Sequence, residues 1–283
     1  MQDDDGDFSV YPDASAVGFR VFELLSQFQR EFRPQDIAAR KEPGEADAAF
    51  LLRTAITAQE EAPALFRQNA QANPLLTAAW LSIVKNKART ALLRDRLRTF
   101  GALTEGNLRE IAQLSANVQE LPNVRHVLAN EFGIILVIET AFAAMKTDGC
   151  VFTLSSGTPV IGMSLRYNRY DNFWFTLMHE LAHISMHYER LATPILDDLD
   201  GEDDSETEVE ANRIAMDALV PRNVWRKMLL HHNSKEHLVG YASQAGVHPA
   251  VAAGLMRHRT RNYAMYTDLV QSIDVAQELG VQR

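Results

Sequence analysis

The chain has 283 residues, 46% of them hydrophobic and 23% charged, the profile of a soluble globular protein of two domains or one large one. A net charge of −9 excludes a broad electrostatic footprint for nucleic acid. A lone cysteine, Cys150, excludes an internal disulfide and any four-thiolate metal site, which fits a reducing compartment.

Residues 1–13 are acidic, hold glycine and proline and have little to bury, so a disordered N-terminus is expected. They contain no apolar signal region, and no stretch of the chain approaches the ~20 apolar residues of a membrane span. A cytoplasmic protein is therefore expected. Residues 14–120 read as a helical region. "VGFRVFELLSQFQREF" places apolar residues at the three-and-four spacing of an amphipathic helix. The run from Leu75 to Phe100 repeats that spacing with Trp80, Leu81, Val84, Leu92, Leu93 and Leu97. Its basic residues between Lys85 and Arg98 recur at surface positions and read as a solvated face. Thr104 stands where an N-cap belongs, just before "EGNLREIAQLS".

Near Gly133 the pattern changes. "GIILVIE", "CVFTL" and "PVIGMSL" are short, apolar and rich in β-branched residues, with the turn formers "SSGTP" before the last. These predict three strands, the second and third forming a hairpin. After Tyr170 the helical period returns and persists nearly to the C-terminus. Helices, a small sheet and helices again make an α+β fold, with a soft boundary near Leu121 and a second region over residues 121–283.

The stretch "DNFWFTLMHELAHISMHYE", Asp171 to Glu189, carries the chemistry. Asp171 or Asn172 is placed to cap a helix on which His179 and His183 lie one turn apart and point the same way. Two imidazoles so placed can share one zinc ion. Glu180, one step round, does not compete as a ligand but can reach the attacking water as a general base. The alternative is a helix with two partly buried histidines facing the sheet. The apolar flanks "FWFTLM" and "LA" weigh against it, because an unpaired buried imidazole pair is costly and a metal satisfies both.

A catalytic zinc site needs a third protein donor. His187 lies about one full turn too far along for the same ion. The metzincin pattern fails, since Met186 and Glu189 stand where its glycine and histidine belong. The next helical stretch, "ETEVEANRIAMDALVP", offers Glu206, Glu208 and Glu210. Helical phase puts Glu208 with Ala211, Asn212, Ala215, Ala218 and Leu219 on the inward face, and Glu206, Glu210, Arg213 and Asp217 on a wet one. Glu208 is thus the expected third donor, with Asn212 placed to hold it or a ligand histidine. The intervening "LDDLDGEDDSETE" lacks the register of a calcium loop and reads as a solvated acidic loop. Tyr241, His231 and His248 are candidates for an oxyanion helper.

"HELAH", then "EVEAN", then "ALVP" resembles the ImmA/IrrE family of bacterial metallopeptidases, with HExxH followed by ExxxN. The resemblance implies a zincin-like fold and zinc held by His179, His183 and Glu208, with Glu180 as the catalytic residue. The stretches "GTPVIGMSLRYNRYDNFWFTLMHELAH", "DDLDGED" and "GVHPAVAAGLMRHRTRNY" are similar to the subgroup fused to HigA-type antitoxins. Over "LFRQNAQANPLLTAAWLSIV" the chain is similar to the connecting helices of that subgroup, but no helix-turn-helix is legible before it. Direct nucleic-acid binding is therefore not expected. The resemblance implies a zinc metalloendopeptidase acting on a repressor or antitoxin in a stress, toxin–antitoxin or mobile-element system. Its alternative is a non-catalytic regulatory module that uses the same pocket to bind a partner or sense a signal.

Overall fold

The computed structural model describes residues 14–68, 73–95, 97–198 and 205–281, so the expectation for residues 1–13 lies outside the described residues. Two compact units divide between Lys85 and Asn86. The boundary expected near Leu121 falls inside the second.

In the first unit, α1 (Ala14–Glu31) packs along α3 (Asp47–Gln68), with the short α2 (Pro34–Ala38) between them in sequence. The amphipathic spacing read from the sequence delivers Leu24 and Phe28 to the interior. Phe28 stacks on Phe32 at 5.0 Å between ring centroids, and Phe32 leans on Phe50 of α3 at 6.5 Å. Arg53 closes the α2–α3 turn by a two-pronged contact with Glu45, at 3.0 and 2.9 Å. The next helix, α4 (Pro74–Arg94), runs across the division between the units.

The second unit opens with the end of α4. Here Lys87 is not simply a solvated lysine, because its Nζ lies 2.6 Å from the buried Glu139. Helix α5 (Glu105–Gln113) starts at Thr104 as expected, whose Oγ1 accepts from the Asn107 backbone N–H. A run of tight turns, including α6 (Val124–Val127), then leads to Gly133. Its φ of 70° and the Arg98 carbonyl 2.4 Å from where a Cβ would stand admit only glycine there.

Among the described residues one four-stranded sheet follows, in the order β1-β3-β2-β4. β1 (Ile135–Ile138) runs parallel to β3 (Pro159–Met163), and β2 (Gly149–Thr153) forms the expected antiparallel hairpin with β3. The fourth strand, β4 (Ile195–Asp197), pairs antiparallel with β2. Sequence reading had placed no strand there, because the carboxylates after Leu196 masked a run of only three residues. The sheet is therefore mixed, with β1 and β4 at its edges, and the architecture is α+β.

Helix α7 (Tyr170–His187) is the centre of this unit. Trp174, Leu177, Met178, Leu181 and Ile184 have almost no exposure, and the helix is apolar around most of its circumference, as a fully enclosed helix must be. It packs on β2 and β3, on α5, on α8 (Glu206–Leu219) and, after α9 (Arg222–Leu230) and α10 (Lys235–Ala245), on α11 (Pro249–Thr260). The short α12 (Thr267–Val270) and α13 (Val275–Glu278) complete the described chain. The start of α7 differs from expectation: Arg169 takes the N-cap position, and Asp171 and Asn172 lie inside the first turn. The Arg169 guanidinium explains this, binding both Asp171 oxygens at 3.1 Å and Asn172 Oδ1 at 2.9 Å.

The close approach of α11 rests on Gly254. A Cβ there would stand 2.3 Å from the Cβ of Asp171, which Arg169 prevents from moving aside. Gly254→Ala gains about 1 kcal/mol of helix propensity but meets an overpacking cost of roughly 1–3 kcal/mol. We expect it to lower the melting temperature by a few degrees in calorimetry. An unchanged or raised value would show that α11 can slide.

Candidate metal centre

Helices α7 and α8 bring the sequence-predicted residues together. Small residues on the inward face of α8, Ala211 and Ala215, are buried against α7 and let the backbones approach. The end of α8 is fixed by Arg109 of α5, whose guanidinium donates to the carbonyls of Ala218 at 2.6 Å and Leu219 at 2.9 Å. At the other end Ser205 caps the helix through the Glu208 N–H.

This positioning turns Glu208 inward. Its Oε2 lies 3.1 Å from His179 Nε2 and its Oε1 3.4 Å from His183 Nε2. The two Nε2 atoms face each other at 3.0 Å. Glu206 is exposed, and Glu210 sits at the surface beside Arg213. Asn212 shares the inward face, and its Oδ1 lies 3.0 Å from His179 Nδ1. An Nδ1–H donated to that oxygen leaves the Nε2 lone pair free for a cation.

One further carboxylate was missed in the sequence. Asp197, the last residue of β4, is 5% exposed and puts Oδ2 3.5 Å from His179 Nε2 and 3.8 Å from His183 Nε2. It belongs to the stretch read as a solvated acidic loop. The "PIL" before it is the signal that could have placed it on a strand. Residues 199–204 of that stretch lie outside the described residues.

The donor atoms of His179, His183, Asp197 and Glu208 all lie within 4.8 Å of one another. An ion about 2.0 Å from each of four tetrahedral donors sets them roughly 3.3 Å apart, close to the 3.0–3.8 Å between the two histidine Nε2 atoms and from each of these to the nearest oxygen of Asp197 and of Glu208. Asp197 Oδ2 and His183 Nδ1 are buried without a hydrogen-bond partner. The donor set fits a borderline-soft divalent cation such as zinc.

Glu180 sits beside this set with no exposure and with neither carboxylate oxygen hydrogen-bonded. Its space is carved from β2: a Cβ on Gly149 would fall 1.9 Å from Glu180 Oε1. Burial first, and then the charges of Asp197, Glu208 and Asp148, hold its pKa well above the ordinary carboxylate range. For His179 burial works downward, but the Asp197 and Glu208 carboxylates at 3.5 and 3.1 Å outweigh it and raise the pKa to about 9. For Glu208 burial works upward, and the two histidines outweigh it and lower the pKa to about 2.

A metal entering this site must displace the His179 proton. Below about pH 9 each unit of pH then tightens apparent zinc affinity about tenfold, and above it the gain levels off. Competition titrations at pH 7, 8 and 9 measure this slope. A flat response would remove His179 from the set of protonated groups that zinc displaces.

A family model described as the IrrE N-terminal-like domain, peptidase M78, matches residues 129–254. Residues 129–254 are thus similar to an IrrE-type peptidase M78 domain. The resemblance of "HELAH" and "EVEAN" to the ImmA/IrrE family thus holds, and the matched segment contains α7, α8 and the whole sheet. No curated protein matches the chain. Among the described residues no helix is long and apolar enough to cross a membrane.

The other candidate residues have partners of their own. His187 is not part of the donor set, its ring centroid 5.8 Å from that of His183. His248 caps α11 through the Ala250 N–H and lies edge-on to Tyr170. Tyr241 bonds His231 Nδ1 at 3.0 Å, and His231 stacks on His237.

Proposed function

We propose that this protein is a cytoplasmic zinc metalloendopeptidase whose substrate is a regulatory protein of the repressor or antitoxin type. The observation that carries the reading is the convergence of His179, His183 and Glu208 beside an unpaired Glu180, within a peptidase M78 domain. His179, His183 and Glu208 would hold the zinc, which when bound polarises the scissile carbonyl and acidifies the attacking water. Glu180 takes the proton of that water and returns it to the leaving amine. Asn212 keeps His179 in the tautomer that presents Nε2. The apolar walls of α7 exclude bulk solvent, so that the carboxylate acts in a medium where its charge is strongly felt.

A second reading has an observation in its favour. His179, Glu180 and His183 have no exposed surface, which suits a regulatory module that binds a partner without cleaving it. Incubating the zinc-loaded chain with the repressor or antitoxin encoded beside it, with mass spectrometry of the products, separates the two. Chelator-sensitive fragments support the peptidase. An intact partner bound in a stable complex supports the module.

A further inference from the structure

A zinc site that hydrolyses a substrate keeps one position open, whereas a site closed by four protein donors is structural. Beside His179, His183 and Glu208 stands a fourth donor, Asp197. Its Oδ2 has no hydrogen-bond partner, is buried, and points at both Nε2 atoms from 3.5 and 3.8 Å. No apolar residue of similar size would be so costly to place there without a cation to satisfy it.

The strand that carries Asp197 is also in a telling place. β4 is an edge strand, three residues long, antiparallel to β2, and joined to it where the Asp148 N–H donates to the Asp197 carbonyl at 2.7 Å. An extended peptide that added to this sheet beside Glu180 would need the same edge of β2. Arg166 holds the arrangement shut. Its guanidinium binds both oxygens of Asp148, at 2.9 and 2.7 Å, and reaches Asp198 just past β4 at 3.1 Å. So short an edge strand, held by a few hydrogen bonds and one cation, is an element that can leave without unfolding the core.

We propose that Asp197 is a fourth protein donor to the metal, so that β4 seals the resting site and must leave the edge of β2 before a peptide can enter. Strand and ligand then act as one latch: the peptide that replaces β4 also frees the coordination position that Asp197 fills. The proposal rests on the metal-site reading given above.

The test uses the full chain loaded with zinc or cobalt(II), and acetohydroxamate as a probe of an open metal position. The parent is expected to bind zinc tightly and to leave its cobalt(II) visible spectrum unchanged when acetohydroxamate is added. Asp197→Asn keeps the shape but offers a poor donor. It is expected to bind zinc at least tenfold more weakly and to take acetohydroxamate at least tenfold more readily. Arg166→Gln, which leaves every donor in place, is expected to keep zinc affinity within a few-fold while admitting acetohydroxamate. The measurement on the parent stands even if a variant folds poorly. A parent that binds no zinc overturns the metal-site reading and this one together. A parent that binds zinc and takes acetohydroxamate as readily as Asp197→Asn overturns this one alone.

Discussion

Glu180→Gln is expected to abolish peptide cleavage while leaving zinc stoichiometry and thermal stability intact. The side chain makes no hydrogen bond through either oxygen, is fully buried, and has its pKa raised by burial and by the carboxylates around it, as suits a group that takes up and returns a proton. Glutamine has nearly the shape of glutamate and carries no charge into the buried site. Removing one carboxylate from beside Asp197 and Glu208 relieves like-charge repulsion, so stability is expected to stay level or rise slightly. What the substitution removes is the capacity to accept a proton, and general-base catalysis contributes about 10²–10⁴ in rate. Cleavage should therefore fall by at least two orders of magnitude in any preparation where the parent cleaves. Zinc content by atomic absorption and melting temperature by calorimetry should match the parent. Full cleavage by this variant would falsify the catalytic role. Biological activity that survives in it without cleavage would transfer the function to the partner-binding module.

Much of the fold was legible where periodicity and covalent constraint point the same way. Thr104 before "EGNLREIAQ" announced α5, and the β-branched runs announced three strands and the hairpin between two of them. The start of α7 was misplaced because Asp171 has the chemistry of a cap but is held inside the first turn by Arg169, a contact no local rule anticipates. The fourth strand failed for a related reason. Ile195–Asp197 is held by pairing with β2 and has too few residues for a period of two to declare itself. Strand pairing is non-local, and local composition there spoke only of solvent.

The candidate site divides along the same line. His179, Glu180 and His183 lie within five residues of one helix, so spacing alone puts them on adjoining faces. Glu208 was reachable by helical phase, because Ala211 and Ala215 marked which side of α8 turns inward. Asp197 and Gly149 were not reachable. Asp197 comes to the histidines only through the register Gly149↔Asp197, and Gly149 is needed only because Glu180 fills the space of its Cβ. Both depend on where a sheet meets a helix far away in sequence. The residues that close the centre are thus the ones a linear pattern conceals.

His183→Ala should separate architecture from chemistry in the opposite sense to Glu180→Gln. His183 Nε2 lies within 3.8 Å of the other three donors' side chains, and its Nδ1 has no hydrogen-bond partner. Removing the ring costs the fold no hydrogen bond at Nδ1 but takes away one of the two imidazoles that the cation needs. In a chelator-treated protein the variant is expected to melt below the parent, because a cavity opens and Glu208 loses its His183 contact, and this offset sets the baseline for the comparison. With zinc in excess the two should diverge. A ligand present at about 1,000 times its Kd stabilises the folded state by roughly 4 kcal/mol. For a chain of this length that is about ten degrees in melting temperature. The parent should show that upward shift on adding zinc, and His183→Ala should show almost none. Paired melting curves with and without zinc give the result directly, together with metal content after dialysis. A variant that retains stoichiometric zinc and the full shift would mean that Glu208, Asp197 and His179 suffice as donors. His183 would then be a buried imidazole and not part of the metal site.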